Sequence, residues 1–85
     1  MRFLIKETFK APPTAELQAL IPAEQAKVKE LTEQGLIAAV YVAADQSGAW
    51  AVWNVDSEAA LEEAHNSLPL HPYMNSEITV LVEEM

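Results

Sequence analysis

Cysteine is absent from this 85-residue chain, which excludes a disulfide framework and a thiolate metal site. Two histidines do not make a zinc site by themselves, so no structural metal is expected. No apolar run approaches the length of a membrane span, and Phe3-Leu4-Ile5, held between Arg2 and Lys6, is too short for a signal-peptide core. The chain is therefore expected to be cytoplasmic and free of membrane. Positive charge is also scarce: five basic residues against thirteen acidic ones leave a net charge of −8, which opposes binding to nucleic acid or an anionic surface. Three of the five, Arg2, Lys6 and Lys10, fall in the first ten residues, and only Lys27 and Lys29 lie elsewhere. Internal repeats and low-complexity segments are absent.

What is present is apolar. Hydrophobic residues make up 51% and charged residues 21%, more grease and less charge than a soluble domain usually carries. Residues 1–85 form one domain, which buries only about 60–65% of the surface of its unfolded chain. Such a chain is expected to cover part of its apolar surface with a partner.

Residues 2–10 alternate. Phe3, Ile5 and Phe9 point one way with Glu7, while Arg2, Leu4, Lys6, Thr8 and Lys10 point the other, as in a strand. Ala11-Pro12-Pro13 ends it, and Thr14 can cap a helix with Glu16 in its first turn. Leu17, Leu20, Ile21, Val28 and Leu31 recur at helical spacing up to the natural C-cap Gly35. Pro22 costs little only at the start of a helix, so the pattern predicts a short helix 15–20 and a main helix 22–34, or one helix kinked there. The apolar stretch 36–44, the turn Asp45-Gln46-Ser47-Gly48 and the stretch 49–55 predict a β-hairpin. Asp56 and Ser57 can cap a helix whose stripe is Ala60, Leu61, Ala64 and Leu68, stopped by Pro69. Residues 77–82 predict a last strand before Glu83-Glu84.

The order β-α-β-β-α-β predicts an α+β, ferredoxin-like fold, a four-stranded antiparallel sheet with two helices on one face. Trp50 and Val52 fall on one face of their strand while Trp53 and Val55 fall on the other. The face without helices therefore carries apolar side chains, and a second copy is expected to cover it as a homodimer or part of a larger homo-oligomer.

The link Leu68-Pro69-Leu70-His71-Pro72-Tyr73-Met74 resembles the muconolactone delta-isomerases, whose corresponding link runs Leu-Pro-Leu, one variable residue, then Pro-Tyr-Met. The basic first strand, Pro12-Pro13, Gln34-Gly35 and Val55-Asp56-Ser57 extend the resemblance over essentially the whole chain. It implies a dimeric α/β barrel and cofactor-free movement of a double bond in a small lactone bearing a carboxymethyl group. The segment Leu36–Val42, aliphatic here except for Tyr41, departs from the arginine, histidine and tryptophan of the isomerases proper. A non-catalytic small-molecule-binding or scaffold domain is thus the alternative, and oxidation or decarboxylation of an aromatic compound a further one.

Allylic isomerisation requires a base titrating near neutrality, a donor to steady the dienolate and a cation for a substrate carboxylate. His71 is the candidate base, and Tyr73 the candidate donor. Lys6, on the face without helices, is the candidate carboxylate ligand, with Tyr41 and Trp50 as candidate walls for a flat ligand. Glu7 belongs to the helix-facing set, where it is expected at an exposed edge; buried, it would be a rival base. His65 is expected to be boundary packing.

Overall fold

The computed structural model describes residues 1–82, and the acidic Glu83-Glu84 ending lies outside the described residues. The elements are β1 (Arg2–Phe9), α1 (Ala15–Ala19), α2 (Ile21–Glu33), β2 (Ile37–Val42), β3 (Gly48–Asn54), α3 (Glu58–Asn66), a single 3₁₀ turn His71–Tyr73 and β4 (Met74–Leu81). The strands form one antiparallel sheet in the order β2-β3-β1-β4. This is the ferredoxin-like topology, with three helices because the first helical region breaks before Pro22.

The break has a local cause. Ile21 and Pro22 begin α2, where a proline's missing N–H is no loss, and Leu20 closes α1 through bonds to Gln18 and Leu17. Thr14 Oγ1 accepts from Leu17 N at 3.1 Å and Ser57 Oγ accepts from Ala60 N at 3.1 Å, so each cap satisfies an N–H that its helix cannot. At the end of α2, Leu36 N donates to Leu31 O and Gly35 N to Thr32 O, both at 3.0 Å, with Gly35 at φ 80°. These are the paired bonds of a Schellman motif, and the left-handed backbone explains the glycine.

Pairing fixes the two faces. Phe3 opposes Trp53, Ile5 opposes Ala51 and Glu7 opposes Ala49, so all six share the helix-covered face; Leu4 with Val52 and Lys6 with Trp50 take the open one. A bulge at Ala38 lets Ile37 pair with Trp53 while Val40 pairs with Ala51, which puts two residues three apart on the same face. Phe3, Ile5, Leu31, Ile37, Trp53, Val55, Leu61 and Leu68 make the core.

Two boundaries differ from the sequence pattern. α3 ends at Asn66, with Ser67 as its C-cap, so Leu68 is buried from the link rather than from the helix stripe. A residue preceding proline is pushed out of the α region, which moves the stop upstream of Pro69. β4 starts at Met74, three residues before the predicted start, because Met74, Asn75 and Ser76 pair with Phe9, Thr8 and Glu7. Ladder pairing with β1 overrides the weak strand propensity of Asn75 and Ser76. Neither edge is wholly covered: Val40 and Val42 on β2, and Ile78 and Val80 on β4, are exposed.

Candidate functional site

A cavity of about 70 Å³ lies between the sheet and α2, walled by Ile5 and Glu7 from β1, Trp53 from β3, Glu24 and Val28 from α2, and Leu68. A larger groove of about 410 Å³ runs between α3 and β4 past Glu58, Glu62, Ile78 and Val80. That groove carries no histidine and no unpartnered buried polar atom. Two carboxylates, Glu7 and Glu24, line the smaller cavity.

Glu7 reaches this cavity because it continues the inward set of β1, two residues after Ile5. Its Oε1 is hydrogen-bonded to Nε2 of His65, which α3 carries to the core with only 4% of its surface exposed. Glu7 is not at an exposed edge: β1 is an inner strand, and the side chain keeps 17% of its accessibility. His65 is accordingly more than boundary packing. When Glu7 is ionised the imidazole donates from Nε2, and when the proton lies on the carboxyl group the imidazole accepts it. The pair can hold a proton at either end.

Two aromatic rings surround the pair. The Trp53 ring lies edge-on to His65 with centroids 6.0 Å apart, and the His71 ring lies edge-on from the proline-rich link at 5.1 Å. Trp53 Nε1 and His71 Nδ1 are buried without a hydrogen-bond partner. Leaving a buried polar atom unsatisfied costs about 1–3 kcal/mol.

The proline-rich link is fastened by two outside groups and one bond within itself. Glu24 Oε1 accepts from Leu70 N at 3.0 Å, His71 N donates to Leu68 O at 3.0 Å, and Lys10 N donates to Tyr73 O at 3.0 Å. Burial raises the Glu24 carboxyl above its ordinary range; the Leu70 bond offsets part of this, and the Glu7 charge adds to it.

The sequence-predicted residues separate into two groups. His71 joins His65 on the helix-covered side, and Tyr73 follows it in the 3₁₀ turn. Lys6, Trp50 and Tyr41 form one cross-strand row on the open face, with Lys6 Nζ 6.0 Å from the Trp50 ring centroid and Tyr41 66% exposed. Alternation along β1 sends Lys6 and Glu7 to opposite faces, so within one chain the row does not border the cavity. Glu24 and Trp53 also line the cavity: Glu24 was not singled out by the sequence because it sits in a generic acidic helix, whereas Trp53, like Trp50 and Tyr41, could be read from the sequence either as a pocket wall or as core. The inward placement of Glu7 was the available signal. Among the described residues no group of three or more His, Asp and Glu could hold a metal ion, and no helix is long and apolar enough to cross a membrane.

A four-stranded antiparallel sheet with helices on one face, and Glu7 and Glu24 lining a small cavity between the layers, defines the class: an α+β domain of ferredoxin-like topology. The chain belongs to the muconolactone delta-isomerase family, whose sequence pattern matches residues 1–84. A crystal structure of muconolactone isomerase is similar over 99% of this chain and 91% of that one, with 29% identity and a TM-score of 0.87. The 5-chloro-2-hydroxyhydroquinone dehydrochlorinase of Burkholderia phenoliruptrix, in complex with 2,5-dihydroxybenzoquinone, shares the fold: 16% identity, TM-score 0.70, 99% of this chain and 96% of that one. A comparison with curated proteins finds no match.

Proposed function

We propose that the chain is a cofactor-independent isomerase that moves a double bond within a small unsaturated lactone by acid–base proton transfer. The observation that carries this reading is Glu7, hydrogen-bonded to the buried His65, in the wall of a cavity that Trp53 also lines. Family membership supports it.

In this reading Glu7 removes a proton from the ring carbon adjacent to the double bond. The electron pair delocalises through the diene onto the carbonyl oxygen, where the Trp53 N–H stabilises the developing charge. Glu7 then returns the proton to the far carbon of the dienolate, so the base is regenerated and no redox partner is needed. His65 holds the carboxyl group in place and shares its proton, and His71, against the outer edge of the His65 ring, orients that imidazole. Tyr73 keeps the link in register through its backbone bonds to Lys10 and Leu70.

Lys6, Trp50 and Tyr41 are assigned to the surface that a second copy of the chain covers, sheet against sheet. Leu4 and Val52 lie in the same surface, and apolar groups on an open sheet favour that packing.

The test is proton NMR of the protein with an unsaturated lactone in deuterated buffer. Enzyme-dependent loss of the ring proton, abolished in Glu7→Gln, is the expected result. A folded protein that binds the lactone and shifts the Trp53 indole resonance, yet catalyses no exchange, would instead make the cavity a binding site without chemistry. The aliphatic walls Ile37 and Val40 fit that second reading.

A further inference from the structure

We infer that Glu24 is a positioning residue: through its bond to the backbone of Leu70, α2 fixes where the proline-rich link sets His71 against His65. The inference rests on the isomerase reading above only for its effect on turnover.

His71 has little of its own to hold it. Its Nδ1 is buried without a hydrogen-bond partner, and its ring meets His65 edge-on with centroids 5.1 Å apart. The backbone that carries the ring must therefore set its direction. In that backbone Pro69 and Pro72 supply no N–H. His71 N and Tyr73 N bond within the link, to Leu68 O and Leu70 O, and Leu68 N bonds back to His65 O in the helix that the link continues. Leu70 N alone crosses to another helix, donating to Glu24 Oε1 at 3.0 Å. It is the residue immediately before His71, and the flanking prolines stiffen the chain on both sides, so a shift at Leu70 is passed to the ring rather than absorbed.

The same bond explains why an acid stands at this place. Glu24 lies in the first turn of α2 and is half-buried, yet it forms no ion pair among the described residues. Burial holds its carboxyl above the ordinary range, and the Leu70 bond offsets part of that. Leu70 is itself buried, and Glu24 is the partner of its N–H, a group that is costly to leave unpaired away from water. Loss of the bond frees the link at the point that holds His71 to the ring of His65, the residue to which Glu7 is bonded. Small displacements of groups that orient a base lower the rate steeply.

The experiment records the imidazole resonances by long-range proton–nitrogen correlation NMR, with kcat and KM on muconolactone, in wild type, Glu24→Gln, Glu24→Asp and Glu24→Met. Gln keeps an oxygen for Leu70 N and loses the charge, Asp keeps the charge but falls one methylene short, and Met matches the length without a comparable acceptor. Gln should retain the wild-type His65 and His71 resonances and a kcat within about threefold; Asp and Met should move both resonances and lower kcat about tenfold or more, with KM changed less than about twofold. A merely structural Glu24 would change urea midpoints and leave those resonances in place. Unmoved resonances in folded Glu24→Asp would overturn the inference, and this variant decides it even where Met does not fold. Resonances moved as far by Gln as by Asp would also overturn it, because charge rather than the bond would then be acting. Folded wild type without turnover would remove the isomerase reading, while the imidazole signature would still decide whether Glu24 positions His71.

Discussion

Glu7 and His65, 58 positions apart in sequence, meet through a direct hydrogen bond between a central strand and the helix that covers it. Neither residue has a second side-chain partner among the described residues, so the pair stands or falls together. Glu7→Gln should lower turnover by about 100-fold or more, the usual scale for losing a general base, while circular dichroism stays that of the wild type.

His65→Ala removes a buried ring and leaves Glu7 unpaired against Trp53. The combined cavity and desolvation terms predict a loss of about 2–4 kcal/mol, read from urea denaturation. His71→Ala, at a half-buried position in the link, should cost less than half as much. A larger loss at His71 than at His65 would contradict the assignment of His65 to the core of the site.

Gly48 opposes the end of β1, and a Cβ placed there would lie 2.6 Å from the carbonyl oxygen of Glu7. Gly48→Ala must therefore push the backbone of Glu7 away, at a cost of about 1–3 kcal/mol by the usual scale of overpacking. Because the displaced residue is the proposed base, turnover should fall further than stability alone explains. Gly35→Ala is the contrasting case: open space surrounds its Cβ, so its penalty comes from the left-handed backbone and activity should persist.

The buried Glu24 carboxyl makes stability depend on pH with a defined sign. Its folded pKa lies above that of the unfolded chain, burial being the leading cause, so between those two values the native state binds more protons than the unfolded chain. Stability associated with this group is fully present below about pH 4.5 and declines as pH rises through the folded value. In Glu24→Gln that decline is absent, and the stability difference, variant minus wild type, should grow with pH across that window. Urea midpoints at several pH values provide the check, and a difference that shrinks with pH would reverse the assignment.

The open face predicts assembly. Sedimentation should give at least twice the 9.4 kDa of a single chain, and Val52→Lys, which places a charge among Leu4, Trp50 and Val52, should shift the population toward the monomer. A monomeric wild type at micromolar concentration would remove the proposed role of the Lys6, Trp50 and Tyr41 row.

Much of the architecture was legible in the chain because its signals are local. The two-residue alternation of β1 sorts Phe3, Ile5 and Glu7 from Leu4 and Lys6 without reference to any other segment, and Thr14, Ser57, Pro22 and Gly35 mark helix ends through chemistry confined to one turn. Where pairing mattered, local signals fell short. β4 begins at Met74 because β1 offers it a ladder, and Ala38 bulges because Ile37 and Val40 both meet partners on the helix side.

The amino-acid sequence by itself determined the order of elements, the helix-facing direction of Glu7, the lack of thiols and the rigidity of the link around Pro69 and Pro72. Only the tertiary structure decided that Glu7 would meet His65, that His71 would stand against that ring, and that Trp53 Nε1 would be buried with nothing to bond. The reason is physical: periodicity states which way a side chain leaves its own strand or helix, whereas a contact spanning 58 residues depends on strand register, on the rotation of α3 over the sheet and on the turn that follows it. Those are properties of packing, and packing is settled by the whole chain at once.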